Sequence, residues 1–174
     1  MEHILLDEVI ETDYGQFDLI WDDEYGFDGD FERFFDGQLN GLVGAAHAGS
    51  VYVNLARRSG GSPVRIVLRN SRPADDESYQ DVVEVSIQIP TNTVVQWASW
   101  AYESHGTLAD LLPGAYRLRV SARDRDAGRD GEFAEGSVDA YLLELWPAPP
   151  EPDSIVRVGS HDAEHGHREV GGRR

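Results

Sequence analysis

The run YQDVVEVSIQI, residues 79–89, decides the fold class, because apolar and polar side chains alternate along most of its length. Val83, Val85, Ile87 and Ile89 fall on one face, and the residues between them are polar. A period of two is typical of a β-strand that buries one face. Pro90 ends the run, since proline cannot donate a hydrogen bond to a neighbouring strand.

The same alternation recurs on both sides of this run, in short segments separated by Gly, Pro, Asn and Asp. It predicts further strands at residues 3–11, 14–21, 51–57, 64–70, 93–100, 116–123 and 138–146, with a short edge strand at 155–158. We expect 51–57 and 64–70 to form a hairpin across the turn SGGS. The nearly continuous apolar run at 138–146 predicts a strand covered on both faces, at the centre of a sheet.

Helical signals are few. One short helix is predicted at 29–38, where Asp30 can cap the first turn and three phenylalanines line one side. The last residues, 159–174, hold little apolar surface, so we expect a disordered tail. The sequence thus predicts a mainly β protein with one domain at residues 1–158, a single antiparallel β-sandwich of about eight strands.

Composition excludes several kinds of site and partner. The 174 residues contain no cysteine, which rules out disulfides, thiolate metal sites and cysteine nucleophiles. The formal net charge is −17, and residues 1–40 hold thirteen acidic residues against Arg33 alone. Phosphate binding requires Lys or Arg, so we expect neither direct nucleic-acid binding nor anionic membrane binding, and a basic protein is the favoured partner.

The first residues also bear on location. MEHILLDEVIETD is acidic where a signal peptide needs a basic start, and no later run approaches the length of a membrane span. We therefore expect a cytoplasmic protein without a membrane anchor.

Residues 18–36, DLIWDDEYGFDGDFERFFD, combine closely spaced carboxylates with aromatic residues, and we call them the acidic segment. Interleaved aromatics are enriched in binding hot spots, and dense carboxylates steer a basic partner. This composition predicts a partner-binding surface in which the carboxylates supply contact charge and the aromatics supply buried anchors. The predicted residues are Asp22, Asp23, Glu24, Asp28, Asp30, Glu32, Trp21, Tyr25 and Phe27. The alternative is a solvated acidic loop whose aromatics belong to the core.

Other chemistries find weaker support. Asp28, Asp30 and Glu32 alternate as calcium ligands do, but Arg33 and Leu39 stand where a helix-loop-helix calcium loop needs Gly and Glu. We predict no metal site and no cofactor. A sandwich that binds calcium or a small ligand at its loops is the alternative function.

Histidines could also carry chemistry, but their placement favours none. His161, His165 and His167 lie in the predicted tail, where a metal site would lack fixed geometry. A hydrolase would need an unrecognised carboxylate or histidine pair, with His105 as one candidate, because no GxSxG elbow or phosphate-binding loop occurs. The protein is therefore expected not to be an enzyme.

Arginines alternate along two of the predicted strands, with Arg65 and Arg69 on one, and Arg117, Arg119 and Arg123 on the other. We expect them to form cross-strand ion pairs with the interspersed acids rather than an anion-binding patch. The stretch PGAYRLRV before the second of these strands resembles the corner of immunoglobulin-like and transthyretin-like sandwiches. In such corners the tyrosine hydroxyl, here that of Tyr116, bonds back to the main chain.

Four stretches carry a broader resemblance: DYGQFDLIW (13–21), YQDVVEVSIQI (79–89), LPGAYRLRV (112–120) and DAYLLELW (139–146). Over about residues 12–150 the chain resembles the competence protein J family of DNA-entry nuclease inhibitors and related uncharacterised actinobacterial proteins. The resemblance implies a non-enzymatic sandwich that binds and inhibits a nuclease. A carboxylate surface suits that role, because it can occupy a basic nuclease groove as DNA does.

Overall fold

The computed structural model describes residues 2–22 and 26–174. Over those residues the chain forms eleven strands: β1 (Glu2–Asp13), β2 (Gln16–Ile20), β3 (Val43–Gly44), β4 (Ser50–Asn54), β5 (Ser59–Arg69), β6 (Asp81–Ile89), β7 (Gln96–Ser99), β8 (His105–Thr107), β9 (Gly114–Arg123), β10 (Ala140–Pro147) and β11 (Ser154–Arg157). Its helices are α1 (Phe31–Phe35), α2 (Arg125–Asp130) and α3 (His161–Glu169), with a 3₁₀ turn at Trp100–Tyr102.

The strands form two sheets. Sheet A has the order β1-β5-β10-β9-β6-β11, and sheet B has the order β3-β4-β2-β7-β8. Neighbouring strands run antiparallel except β5 and β10, which are parallel, with Tyr141 beside Val64 and Leu145 beside Leu68. Since β10 lies between β5 and β9, the predicted central position of residues 138–146 is confirmed.

One hydrophobic core draws side chains from both sheets, which is the arrangement of a β-sandwich. Sheet B contributes Phe17 and Leu19, and sheet A contributes Val85, Leu118 and Leu143, all buried. Residues two positions apart in a strand point to the same side of the sheet. The apolar residues that alternate in the sequence therefore form the inner face of each sheet.

Three predictions about elements are corrected. In the described residues the strands number eleven rather than about eight, since short segments such as Val43–Gly44 and His105–Thr107 also pair. The helices number three rather than one. The sheet is not wholly antiparallel, because β5 and β10 run in the same direction.

The predicted hairpin of 51–57 and 64–70 is wrong. Strand β4 pairs with β2 and β3 in sheet B, whereas β5 pairs with β1 and β10 in sheet A. Both runs contribute side chains to the main core, Val51 and Val53 from sheet B and Val64 and Ile66 from sheet A. The chain crosses between the sheets at residues 55–58, where the buried Arg57 donates to the Gly61 carbonyl at 2.7 Å.

The predicted disordered tail at 159–174 is also corrected, because most of it forms α3. The Ser160 hydroxyl caps the helix by accepting the Ala163 N–H at 3.0 Å. The Asp126 carboxylate on α2 accepts the first two N–H groups of the helix, at 3.1 and 2.8 Å. Capping of this kind stabilises a helix that has almost no apolar face.

The end of the chain is fixed by further polar contacts. Buried Arg125 donates to Asp162 on α3 at 2.9 Å. Beyond the helix, the N–H groups of Gly172 and Arg173 donate to the carbonyls of Leu39 and residue 38. The composition of the tail failed as a guide because polar anchors from other parts of the chain hold it.

The predictions for the arginine strands and the tyrosine corner are confirmed. Arg69 pairs with Glu144 at 2.6 Å, and Arg119 pairs with Glu84 at 2.8 Å. Arg123 differs, since its guanidinium lies over the ring of Tyr79. At the start of β9 the Tyr116 hydroxyl donates to the carbonyl of residue 112 at 2.8 Å.

Within the described residues no helix has the length and apolar character needed to cross a membrane.

Candidate functional site

The acidic segment begins within β2, and Phe27, which follows the residues that are not described, packs on the outer face of sheet B. Asp18 starts this contact, because it alternates with Phe17 and Leu19 and so faces away from the core, yet it is only 1% exposed. Its carboxylate accepts the Phe27 N–H at 3.2 Å and the Gln16 side-chain amide at 2.6 Å. Gln16 also donates to the Phe27 carbonyl at 3.0 Å.

This contact requires a glycine beside Asp18. A Cβ atom on Gly26 would lie 2.0 Å from Asp18 Oδ2, so a larger residue there would displace the segment. Asp18 and Gln16 therefore position the acidic segment, although neither was predicted as a site residue. The sequence shows Asp18 on the polar side of a predicted strand, and a side chain in that position usually reaches solvent. It therefore gave no sign that Asp18 is buried.

A small aromatic cluster completes the attachment. The Phe27 ring stacks on Tyr52 with centroids 3.9 Å apart and meets the edge of Phe34 at 5.1 Å. Phe34 and Phe35 from α1 are fully buried. Burial raises the pKa of Tyr52 to about 12, so its hydroxyl stays neutral in the cluster.

The aromatics of the acidic segment thus point mostly inward. Trp21 is 8% exposed, belongs to the main core, and donates its indole N–H to the Ala48 carbonyl at 2.9 Å. Phe27 is half-buried. These positions match the alternative in which the aromatics are core residues, whereas Phe31, which was not among the predicted anchors, is exposed.

The carboxylates point outward. Those predicted to contact a partner are exposed at every described position: Asp22, Asp28, Asp30 and Glu32. Two of them pair within the chain, since Asp28 lies 2.8 Å from the Arg33 guanidinium and Glu32 pairs with Arg173. Asp28, Asp30 and Glu32 thus lie at the start of α1, whereas Asp22 follows β2 and its N–H donates to the Gly49 carbonyl. Asp23, Glu24 and Tyr25, which were assigned the same role, lie outside the described residues.

The calcium alternative gains nothing from this geometry. One oxygen of Asp28 accepts the Asp30 N–H at 3.0 Å, and one oxygen of Asp30 caps α1 by accepting the Arg33 N–H at 3.1 Å. Slight desolvation opposes ionisation of Asp28, but the Asp30 N–H and the Arg33 charge outweigh it and lower the pKa of that carboxyl. Across residues 2–22 and 26–174, no group of three or more side chains is placed to hold a metal ion.

The histidines of residues 159–174 do not come together into a site either. His161 and His165 are exposed on α3, while Nδ1 of His167 accepts the Gly41 N–H at 3.0 Å. Desolvation, followed by the nearby Arg125 charge, lowers the pKa of His167. His167 therefore fastens α3 to the chain after α1.

A second surface lies at the end of the sandwich where β1 meets β2. Tyr14 precedes β2, Trp100 follows β7, and Phe133 follows α2. The Tyr14 and Trp100 rings are 5.0 Å apart, and Glu132, beside Phe133, lines the same cleft. We call Tyr14, Trp100 and Phe133 the aromatic tip. Sequence reasoning missed it because its members are far apart in the chain and nothing local marks them as exposed.

Comparison with known proteins places this architecture. No protein-family model matches the chain, and no curated protein sequence matches it. Two solved structures are similar in fold. ComJ from Bacillus subtilis, described as an inhibitor of the DNA degrading activity of NucA, is 18% identical, with a TM-score of 0.55 and coverage of 85% of this chain and 99% of ComJ.

The second structure, described as Crocagin biosynthetic gene J, is 19% identical, with a TM-score of 0.51 and coverage of 86% of this chain and 99% of that one. Similarity at this level of identity establishes the fold alone. The chain is therefore a mainly β, two-sheet protein. More particularly, it has a ComJ-like fold, and the resemblance drawn from the sequence is confirmed at the level of fold.

Proposed function

We propose that this chain is a non-enzymatic, cytoplasmic binding protein that captures a basic protein, such as a nuclease, and inhibits it. One observation carries the proposal: apart from Asp18, the described carboxylates of the acidic segment face solvent, while Asp18 and Phe27 fasten the segment to sheet B. A charged surface held in one conformation loses little entropy on binding and accelerates association with an oppositely charged partner.

Inhibition would follow from competition for the same charges. A nuclease binds the DNA backbone with lysine and arginine side chains. Carboxylates spaced along a rigid surface can pair with those side chains and exclude DNA from the groove. The fold supports this function, since the similar protein ComJ is described as inhibiting a DNA-degrading activity.

The uneven charge of the chain adds to the support. Residues 1–40 hold thirteen of the 32 acidic residues with only Arg33 in opposition within that range, and eight of the thirteen fall in the acidic segment. Such an asymmetry orients the protein as it approaches a basic partner, and its effect weakens with salt.

A DNA-degradation assay tests the proposal, with NucA as the first nuclease and other basic nucleases beside it. The test variant carries Asp→Asn at positions 22, 23, 28 and 30, where asparagine can still cap α1. The control loses the same charge from exposed sites outside the acidic segment: Glu8→Gln, Glu77→Gln, Asp110→Asn and Glu164→Gln.

We expect wild type to inhibit at least one of these nucleases. The test variant should need roughly tenfold more protein for half inhibition, while the control stays within about threefold of wild type. Equal loss in both variants would contradict a local surface, and the absence of inhibition of every nuclease would overturn the proposed function.

A further inference from the structure

The three side chains of the aromatic tip are exposed to solvent. Phe133 is 92% exposed, Tyr14 59% and Trp100 37%. Large aromatic rings in water forgo the stabilisation of burial, and exposed Tyr, Trp and Phe are characteristic of binding hot spots. Three such rings at one end of the sandwich therefore indicate a contact surface.

The loop that carries Phe133 is held in place by a buried arginine. Arg57 is almost fully buried and donates to the carbonyls of residues 131, 134 and 136 at 3.0, 2.5 and 2.7 Å. These bonds surround Phe133 on both sides. The ring is thus displayed from a fixed loop, which reduces the entropy that binding would cost.

The main chain that carries the other two rings is held as well. The main-chain N–H of Trp100 donates to the Thr12 hydroxyl at 3.2 Å, and that hydroxyl donates to the Gln16 carbonyl at 2.7 Å. Tyr14 and Gly15 both take positive φ, at 59° and 65°. A Cβ on Gly15 would lie 2.1 Å from the Leu55 carbonyl oxygen, so this turn admits only glycine there.

Carboxylates surround the rings. Asp13 and Glu132 line a cleft of about 480 Å³ together with Tyr14 and Trp100. Desolvation, followed by the charge of nearby Asp13, raises the pKa of Glu103, three residues after Trp100. Asp13 and Glu132 in this cleft favour a cationic ligand.

The chain already places a guanidinium in this cleft. Arg58 lines it, and its Cζ atom lies 5.9 Å from the Tyr14 ring centroid. Guanidinium groups bind the faces of Tyr and Trp and pair with carboxylates in two-pronged geometry, whereas an ammonium group does so less well. The cleft thus shows the chemistry of an arginine site.

We propose that the aromatic tip receives an arginine side chain of the basic protein partner. The guanidinium lies against the Tyr14 and Trp100 rings and pairs with Asp13 and Glu132, while Phe133 covers apolar surface beside it. This inference rests on the proposed function for the nature of the partner, and it adds a second contact surface to the acidic segment.

One partner can reach both surfaces. A smaller cleft of about 210 Å³ is lined by Gly26 and Phe27 from the acidic segment and by residues 98–102 from the Trp100 loop. The two surfaces are therefore neighbours on the outer side of sheet B. Contact along both would combine charge steering at the acidic segment with an anchored side chain at the tip.

NMR titration with small probes tests the site without any partner protein. The probes are the capped peptides Gly-Arg-Gly, Gly-Lys-Gly and Gly-citrulline-Gly, added to ¹⁵N-labelled protein. We expect the arginine peptide to shift the Trp100 indole signal and the amides of residues 13–15, 58–59, 99–104 and 131–135. Saturation should come at millimolar concentration, about threefold lower than for lysine, and citrulline should have little effect.

Variants locate the response. Trp100→Ala and Tyr14→Ala should weaken arginine binding about fivefold, while Leu112→Ala, which truncates an exposed apolar side chain outside the cleft, should leave it unchanged. Arg58→Gln should strengthen binding, because it frees the Tyr14 ring and removes a like charge. Unsaturable shifts spread over all acidic surfaces, or equal binding of citrulline, would overturn the arginine site.

The nuclease assay separates this inference from the proposed function. Inhibition that is lost in the Asp→Asn variant but retained in Trp100→Ala and Tyr14→Ala supports the proposed function and overturns the tip as a partner contact. Loss in all three variants supports both. Arginine binding at the tip without inhibition of any nuclease supports the arginine site and overturns the inhibitor function.

Discussion

At the scale of single residues, Glu84 joins two buried arginines. Its carboxylate lies 2.8 Å from Arg119 and 3.5 Å from Arg117, and all three side chains are nearly inaccessible. Glu84→Gln leaves two guanidinium groups buried without a counter-charge, so we expect the free energy of unfolding to fall by about 3–5 kcal/mol. Urea denaturation with an unchanged m-value measures the loss.

The matched control is Glu2→Gln. Glu2 pairs with Arg69 at 3.1 Å, but its side chain is exposed, so the loss should stay below about 1 kcal/mol. Equal losses in the two variants would show that burial adds nothing to the Glu84 ion pairs.

Tyr52 makes a prediction for alkaline pH. Because burial raises its pKa from 10 to about 12, the unfolded chain loses this proton first as pH rises. The associated stability is full below pH 10 and is lost between about pH 10 and 12, by about 2–3 kcal/mol. Urea denaturation at a series of pH values should show this fall in wild type and a smaller one in Tyr52→Phe, where the phenol is absent. The same slope in both proteins would contradict it.

At the scale of elements, the docking of α3 depends on a neutral histidine. Desolvation and the Arg125 charge hold the pKa of His167 below its usual value of 6.5, so the unfolded chain takes up the proton that the folded chain refuses. This contribution to stability is present above pH 6.5 and is lost as pH falls through the folded-state pKa. Protection factors for hydrogen exchange at residues 161–170, which correct for the slower chemical exchange in acid, should therefore fall in mild acid.

His167→Asn is the matched variant for this element, since the asparagine oxygen can still accept the Gly41 N–H. The protection factors of its α3 amides should fall less in acid than those of wild type. An identical response in both proteins would mean that another group governs the docking.

Strands could be predicted where the pattern is local, and pairing could not. The alternation in residues 79–89 and the apolar run at 138–146 gave β6 and β10, because each strand buries a face through its own side chains. The chain's crossing between sheets after β4 depends on contacts of Arg57 that lie far along the sequence. The helix at 161–169 depends on Asp126 and Arg125 in the same way.

The candidate site divides along the same line. The outward position of the described acids followed from composition, but the fate of the aromatics did not, because a ring beside a carboxylate can face either water or a sheet. Phe27 packs on Tyr52 from β4, and no local pattern in the sequence marks this contact. The aromatic tip could not be predicted, because its three residues lie in separate loops that come together only in the folded chain.

At the scale of the whole molecule, the net charge of −17 predicts opposite effects of salt on folding and on binding. Raising NaCl from about 20 to about 300 mM screens repulsion among the surface acids, so the melting temperature should rise by a few degrees. The same change should weaken capture of a basic partner. Differential scanning fluorimetry and the nuclease assay measure the two effects.

The Asp→Asn variant of the acidic segment should melt at or slightly above the wild-type temperature in low salt, and it should gain less from added salt. The fourfold control variant should behave in the same way in melting, because repulsion depends on total charge more than on place. A large drop in melting temperature for the test variant alone would show that its acids stabilise the fold.

The parallel neighbours β5 and β10 also set the order in which the molecule can be completed. During synthesis β5 emerges long before β10, so residues 64–68 stay unpaired on this side until residues 141–145 have been made. Strand β9 waits on the other side of the same gap. The growing chain thus carries two apolar strand edges that β10 later fills. A ribosome that stalled after residue 139 would hold a sheet divided in two, exposed to aggregation, because sheet A is completed only when β10 has been made.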